Sequence, residues 1–409
     1  MINSKIVDYI FSSASIQRWN DYPRMVDLVE LDKQAHKFII AFFIAKHETD
    51  VNYTNLIEAG IFEFLRRVVV TDIRPDVFRK ALQKKGKEIN SWVLNKLEST
   101  LIEIDNGSFF QKFKDYLEDD SAYTKERFIL KAASYLATKW EFGIVYQTSQ
   151  FLNDIDEVKK EVDAEIEDYY ELIGVRKIAL NKKLAKVIDL SGRLRFQKRW
   201  AQTPRIPETS VLGHMLTVAL FGYFYSVKIN ACSKRLENNF FVALFHDLPE
   251  ALTRDIISPV KYSVDELADI IAEYEVVQIE DKIMPYIPDN LKEEFSYILG
   301  LDNHNFKDEF ENKIRENGKI KVVDDMQRYN LDRYDAIDGK ALKQCDKLSA
   351  FIEASLSISH GIKSKELMQG KKQIMAGLQS IGEINFKEIA QTIDEEFGTT
   401  GVTQTRMEL

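Results

Sequence analysis

The spacing of apolar residues along the chain is that of helices almost throughout. Apolar side chains recur every three to four residues, the helical period, and only 17 glycines and 8 prolines interrupt 409 residues. We find no alternating β-branched run and predict no β-hairpin. Helices in the first part of the chain are predicted over residues 32–49, 53–69, 75–86, 88–103, 108–118 and 123–152. Asp32 is the expected N-cap of the first of them. The fold class is therefore predicted to be all-α.

Composition narrows the class of protein. A chain that is 45% hydrophobic and 30% charged has the make-up of an ordinary globular protein. Its net charge of −9 argues against a general binder of nucleic acid or membrane surfaces. The two cysteines, Cys232 and Cys345, are too few for a disulfide framework and fit a reducing cytosol. We find no signal peptide, and the uncharged stretch 211–227 is short for a membrane span. A cytoplasmic protein with a buried helix over 211–227 is expected.

Charge also suggests where the chain divides. Residues 153–187 are rich in charge and read as a solvated helix. A domain join placed there gives a first helical domain over 1–180 and a second over 181–375. Residues 376–409 are then expected to form a C-terminal helix and a flexible tail.

The two halves share a short motif. Residues 18–24 read RWNDYPR and residues 199–205 read RWAQTPR. Downstream of each motif a histidine leads an apolar helix, His36 in the first half and His214 in the second. Further matches follow in the same order, which indicates an internal duplication.

At three aligned positions, residue types that can bind a metal ion occur only in the second copy. In our alignment of the two copies, Phe64 and Leu65 stand where the second copy has His246 and Asp247. Ser134 stands where it has Asp346. The first copy is therefore predicted to be metal-free.

Residues 241–255 contain several of the candidate metal-ligating and catalytic side chains. The apolar run of this stretch ends in His246-Asp247, and Glu250 and Asp255 follow. On a helix, positions 246, 247 and 250 share a face. Imidazole nitrogens and carboxylate oxygens suit a divalent metal and are costly to bury together without one. A His-Asp pair alone is also common as a helix end with capping charges, so the remaining residues decide the interpretation.

Those residues occur in an order that resembles a known family. Roughly residues 190–365 resemble the HD superfamily of metal-dependent phosphohydrolases, and more narrowly its 5′-deoxynucleotidase branch. The residues that carry the resemblance are Arg199, Trp200, His214, His246, Asp247, Glu250, Thr253, Asp255, residues 258–262 and Asp346. The resemblance implies an HD-type helical bundle, built as two related helical halves of which only the second binds metal.

The resemblance also implies roles for individual residues. One divalent cation, either Mn, Co, Fe, Zn or Mg, is expected as the cofactor. Its implied ligands are His214, His246, Asp247 and Asp346. The implied catalytic residues are Glu250, which orients or deprotonates a water, and Asp255, a second acid or base. The implied substrate contacts are Arg199, Trp200, Ser258 and Lys261. The acidic pair Asp324-Asp325 ranks second as a source of the last ligand. Arg205 is either a second phosphate contact or, as we slightly favour, the partner of Glu208 in a structural salt bridge.

The implied activity is the release of phosphate from (deoxy)nucleoside 5′-monophosphates. Two alternatives stay open: hydrolysis of nucleoside di- or triphosphates or of an alarmone, and nucleotide sensing without turnover. The first alternative depends on Arg254, which replaces a glycine of the nucleotidase branch and extends recognition toward a polyphosphate or points to solvent. The expected partner is a small nucleotide rather than a nucleic-acid polymer or a membrane, and a homodimer is left open.

Overall fold

The computed structural model of the chain describes residues 2–71, 73–256, 260, 264–301 and 309–403. Helices make up most of these residues, and the strands among them are short. The all-α prediction is therefore confirmed. Within the described ranges, no helix combines the length and the apolar character that a membrane crossing requires.

The chain folds as two compact units. The first-half unit contains residues 12–196 and 280–293, and the second-half unit contains residues 1–11, 197–279 and 294–409. The main division thus falls between Phe196 and Gln197, whereas the sequence placed a domain join within 153–187. The helices Ile173–Ala179 and Lys183–Arg193 account for the difference, because both pack on the helix Glu30–Ala45 of the first-half unit.

The helix Glu30–Ala45 forms the core of the first-half unit. Every one of its residues is buried, and it packs against the long helix Thr124–Ser149. Its N-cap is Val29, which makes no side-chain cap, so the prediction of an Asp32 cap was wrong. Asp32 lies in the first helical turn, where its negative charge suits the helix dipole. The other helices of this half are Tyr53–Val70, Pro75–Leu101, Ser108–Glu118, Ile155–Ala164, Ile173–Ala179 and Lys183–Arg193.

Three helices form the core of the second-half unit. Val211–Lys228 packs against Ser233–Phe245 and against Gly339–Ser359. The first of them is buried from Val211 to Ser226. Gly222 permits the close approach, because a Cβ atom there would lie 3.0 Å from a methyl carbon of Leu342. The remaining helices are Ser4–Ser12, Glu250–Thr253, Leu267–Lys282, Lys292–Leu299, Lys365–Gly377 and Phe386–Thr403.

A β-hairpin interrupts the helical pattern, so the prediction of none was wrong. Strands Asn312–Glu316 and Lys319–Val322 pair antiparallel. Asn317 and Gly318 join them with φ values of 53° and 73°. Positive φ at both loop residues is what a two-residue type I′ turn requires, and Asn-Gly is its preferred sequence. The strand Ile337–Asp338 pairs with the other edge of the first strand. A short pair, Ser380–Ile381 with Ile384–Asn385, lies further along the chain.

Candidate metal centre

His214 is placed by the first turn of a buried helix. Ser210 caps that helix by accepting a hydrogen bond from the backbone N–H of Gly213 at 2.9 Å. The His214 side chain is fully buried. Its Nδ1 lies 3.1 Å from Ser349 Oγ and 3.7 Å from a carboxylate oxygen of Glu353. These contacts on Nδ1 turn Nε2 toward the other candidate ligands.

His246 and Asp247 lie where the helix Ser233–Phe245 ends. His246 is the C-cap, and residues 246–249 form a turn before the short helix Glu250–Thr253 begins. Positions 246, 247 and 250 therefore do not share the helical face that was expected, because a turn separates them. Glu250 is nevertheless buried. Nδ1 of His246 lies 2.7 Å from the carbonyl oxygen of Ala243. Because a carbonyl only accepts, Nδ1 carries the proton and Nε2 keeps its lone pair.

Asp346 comes from the middle of the helix Gly339–Ser359. One carboxylate oxygen lies 3.1 Å from His214 Nε2, and the other accepts a hydrogen bond from Lys343 Nζ at 3.0 Å. The competing pair, Asp324 and Asp325, is exposed and engaged elsewhere. Asp324 pairs with Lys340, and Asp325 accepts from the backbone N–H of Gln327.

The four predicted ligands converge. One ligating atom from each of His214, His246 and Asp346 lies within 4.8 Å of the others. Oδ2 of Asp247 lies 3.1 Å from His246 Nε2 and 3.8 Å from His214 Nε2. Three separate segments, whose outermost ligands His214 and Asp346 are 132 residues apart in the sequence, thus contribute to one small volume.

This arrangement fits a divalent metal ion. When both imidazoles are neutral, their Nε2 lone pairs and the oxygens of two carboxylates face each other at 3.1 to 3.8 Å, which is unfavourable unless a cation lies among them. Ligands that each lie about 2.1 Å from one ion are about 3 Å apart when they are at right angles. The mixed nitrogen and oxygen set suits Mn²⁺, Fe²⁺, Co²⁺ or Zn²⁺ and does not select among them.

The local charges keep both aspartates ionised. Burial alone raises the pKa of Asp247, but His246 and His214 in their protonated forms, together with Arg199, hold that pKa well below its usual range. Burial likewise opposes ionisation of Asp346, and Lys343 with the two histidines lowers its pKa well below normal. Carboxylates that are already ionised are ready to coordinate a cation.

Beside the four candidate ligands lies a buried carboxylate, that of Glu353, which was not among the residues predicted from the sequence. A group of neighbouring side chains contacts it. Glu353 is fully buried two turns after Asp346 on the same helix. It accepts hydrogen bonds from Trp200 Nε1 at 2.9 Å and from the Thr209 hydroxyl at 2.7 Å. Arg199 Nε lies 3.9 Å from it. The spacing of seven residues from Asp346, which puts both side chains on one helical face, was the signal available in the sequence.

Arg199 and Trp200 are held on the open side of this group. The Arg199 side chain is 15% exposed, and Nη1 lies 3.4 Å from Asp255 Oδ2. Trp200 has a φ of 56°, and its ring lies so close to Gly370 that a Cβ atom there would approach it to 2.7 Å. Both side chains are therefore fixed in place rather than free to swing.

Glu250 and Asp255 are linked through one glutamine. Gln197 Nε2 donates to the carbonyl oxygen of Glu250 at 2.9 Å, and Gln197 Oε1 accepts from the backbone N–H of Asp255 at 3.2 Å. The Glu250 side chain is buried, and that of Asp255 is partly exposed. The two predicted substrate contacts Ser258 and Lys261 lie outside the described residues.

The structure shows where the side chains of Arg205 and Arg254 lie, for which the sequence allowed more than one role. Arg205 is buried and donates to the Thr209 hydroxyl at 2.5 Å, whereas Glu208 pairs with Lys198. The predicted Arg205–Glu208 salt bridge was therefore wrong. Arg254 is exposed with a φ of 66°, a conformation that favours glycine. Its side chain points to solvent, the second of the two orientations expected for it.

Comparison with protein families identifies this half of the chain. A family model described as HD domain matches residues 191–375. Residues 191–375 form an HD domain. The resemblance to the HD superfamily is thus confirmed, and the HD domain contains all four candidate ligands. The proposed relation of the first-half unit to this domain stays a prediction.

Curated relatives of this chain are 5′-deoxynucleotidases. One from Klebsiella pneumoniae is 26% identical over 130 residues, which are 31% of this chain and 63% of the relative. 5′-Deoxynucleotidase YfbR of Escherichia coli matches with the same identity over the same shares of the two chains. The chain thus spans about 63% of the length of the curated relatives that it matches.

Proposed function

We propose that the HD domain is a metal-dependent phosphohydrolase that releases phosphate from nucleoside 5′-monophosphates, with deoxynucleotides preferred. The observation that carries the proposal is the convergence of His214, His246, Asp247 and Asp346 from separate helices. The similarity to 5′-deoxynucleotidases supports the substrate class. A small soluble substrate is proposed rather than a polymer.

The four ligands would hold one divalent cation. Such an ion, when bound, supplies a water of lowered pKa and offsets negative charge on the phosphate. The chain's own part is to orient the imidazoles. Ala243 and Ser349 fix the rings of His246 and His214 through their Nδ1 atoms, so that both Nε2 atoms face the carboxylates.

Glu250 is the proposed general base. It follows the His246-Asp247 pair by one turn, its side chain is buried, and Gln197 holds its backbone. A carboxylate in such surroundings can accept the proton of an attacking water. Asp255 is proposed to meet the leaving oxygen, because Arg199 and the Gln197 side chain hold it at the partly exposed edge.

Arg199 and Trp200 are the proposed substrate contacts. A guanidinium group binds phosphate oxygens with two parallel donors. The indole of Trp200 is held in one orientation by its hydrogen bond to Glu353 and by its contact with Gly370, so it forms a rigid surface at the site. We propose that this surface disfavours a ribose 2′-hydroxyl.

The test is phosphate release by metal-stripped protein after Mn²⁺, Co²⁺, Zn²⁺ or Mg²⁺ is restored. Substrates would be paired ribo- and deoxynucleoside mono-, di- and triphosphates. We expect activity on monophosphates, and a loss of about 10²- to 10⁴-fold in Glu250→Gln with metal content unchanged.

Several results would contradict the proposal. Activity confined to di- or triphosphates would replace the substrate class, and normal turnover in Glu250→Gln would remove the base. Nucleotide binding without turnover would favour a sensor. A homodimer and a cytoplasmic location stay predictions, the latter from the two free cysteines.

A further inference from the structure

The loop that leads into the metal-site helix occurs twice in the chain. In each half an isolated antiparallel bridge closes the loop, a tryptophan inside it has a φ of 56°, and the buried helix begins one residue after the bridge. The corresponding bridges are Gln17 with Val29 and Lys198 with Ser210. The spacing is the same in both halves, so the register pairs Lys33, not His36, with His214.

Lys33 therefore occupies the position of a metal ligand. Its Nζ donates to Ser134 Oγ at 2.7 Å. Ser134 is the residue that the sequence alignment matched with Asp346. An ammonium and a hydroxyl thus make the contact that His214 and Asp346 make in the HD domain.

A buried glutamate follows the same plan. Glu141 lies seven residues after Ser134, as Glu353 lies seven residues after Asp346. Trp19 Nε1 lies 3.2 Å from Glu141, as Trp200 Nε1 lies 2.9 Å from Glu353.

His36 takes no part in this arrangement. Its Nε2 lies 2.9 Å from the carbonyl oxygen of Ile188, and its Nδ1 lies 3.3 Å from Arg195. Burial, together with the charge of Arg195, lowers the pKa of His36 to about 3, so the ring is neutral. Among the described residues, no group of three or more metal-ligating side chains lies in the first-half unit.

Positive groups outnumber the carboxylates that they contact. Arg18 lies 2.9 Å from Glu30 and 2.8 Å from Glu141. Arg67 lies 3.3 Å from Glu30, and Arg195 lies 2.9 Å from Glu141. Among the described residues, three guanidinium groups thus share two carboxylates before Lys33 is counted.

The edge that reaches solvent is cationic. The side chains of Glu30 and Glu141 are fully covered, whereas those of Arg18 and Arg67 are 10% and 17% exposed. Of these four described side chains, the guanidinium groups of Arg18 and Arg67 reach this edge and the two glutamates do not. The corresponding edge of the HD domain is mixed, because Asp255 is as exposed there as Arg199.

We infer that these residues form a binding site for a phosphate-bearing anion that needs no metal. We call them the Lys33 cluster: Arg18, Glu30, Lys33, Arg67, Glu141 and Arg195. Guanidinium forks and a lysine ammonium are the groups that bind phosphate oxygens in proteins. Trp19, half-buried beside the cluster, offers a ring to a base.

The state of Lys33 agrees with this inference. Burial lowers the pKa of its ammonium, and the two glutamates only partly oppose this, so the pKa falls to about 7. A bound dianion would supply the missing negative charge. The inference does not depend on the activity proposed for the HD domain.

The test is isothermal titration of the full-length, chelator-treated protein with inorganic phosphate and with deoxyadenosine monophosphate. We expect saturable binding without metal, weakened at least about tenfold in Lys33→Met and in Arg67→Gln. Lys85→Met, at an exposed site in the same unit, is the matched control and should bind as wild type does. Tighter binding of the nucleotide than of phosphate would identify a nucleotide as the ligand, and equal binding would identify free phosphate.

Absence of binding to the metal-free protein would overturn the inference. So would a signal that Arg199→Gln removes and Lys33→Met leaves intact, since the anion would then lie in the HD domain. If Lys33→Met fails to fold by circular dichroism, Arg67→Gln decides, because its side chain is partly exposed and less needed for packing.

Discussion

Two buried polar contacts, one in each half of the chain, differ in where their positive charge comes from. They are His214 with Asp346 in the HD domain and Lys33 with Ser134 in the first-half unit. In the HD domain, the imidazole of His214 and the carboxylate of Asp346 lie 3.1 Å apart and are proposed ligands of a divalent cation. In the first-half unit, the ammonium of Lys33 supplies the positive charge and contacts a neutral hydroxyl at 2.7 Å. If the two halves are related, as we propose, a side-chain ammonium in one half takes the place of the metal ion proposed for the other.

The difference extends to the glutamate of each site. Glu141 contacts two arginines directly, at 2.8 and 2.9 Å. Glu353 contacts a tryptophan and a threonine, and its closest approach to Arg199 is 3.9 Å. Both glutamates thus contact a tryptophan, but only Glu141 also lies within 3 Å of two guanidinium groups.

Removing one charge should test this contrast most strongly. Glu141→Gln removes the carboxylate that Arg195 contacts and one of the two that Arg18 contacts. We expect a loss of about 3–5 kcal/mol in the free energy of unfolding. Glu353→Gln should cost less, because hydrogen bonds to an amide can replace most of its contacts. Urea denaturation of both variants measures the difference. Equal losses would mean that the two carboxylates play the same part.

A substitution at the open edge of the HD domain should act on catalysis instead. Arg199→Gln removes a charge-assisted hydrogen bond to phosphate worth about 1.5–3 kcal/mol, so kcat/KM should fall about 10- to 100-fold. Arg254→Gln is the control, since that side chain is exposed and should leave kcat/KM unchanged. Steady-state assays on one monophosphate decide. A larger effect from Arg254→Gln would point to a polyphosphate substrate.

The difference in stability between wild type and Lys33→Met should depend on pH, and this dependence isolates the titration of Lys33. Its pKa falls from the ordinary 10.5 to about 7, chiefly through burial. The unfolded chain therefore binds more protons between these values, and the contribution of Lys33 to stability rises with pH across that window. The melting temperature of wild type, relative to Lys33→Met, should increase from pH 7 to pH 10. A constant difference would contradict the lowered pKa.

The candidate ligands could be selected from the sequence because their chemistry is unusual in a buried helical pattern. The order of Arg199, His214, His246-Asp247 and Asp346 indicated the HD domain, and apolar periodicity located the helices that carry them. The Asn317-Gly318 hairpin was also within reach of the sequence, since that dipeptide favours a type I′ turn, and it was overlooked.

Other features depend on packing that periodicity does not specify. The sequence did not single out Glu353, because its role depends on how the helix Gly339–Ser359 buries that face against Trp200 and Thr209. The counterpart of His214 was assigned to His36 because both are histidines that lead apolar helices. Only the register of the bridge Gln17–Val29 identifies Lys33 instead.

The most direct test of the central contrast is the metal content of the purified full-length chain, measured by mass spectrometry after saturation with Mn²⁺ and gel filtration. The account predicts one ion per chain, lost in Asp346→Asn and unchanged in His36→Ala. Two ions per chain, or one ion that persists in Asp346→Asn and disappears in His36→Ala, would show that the first-half unit binds metal and would contradict the account.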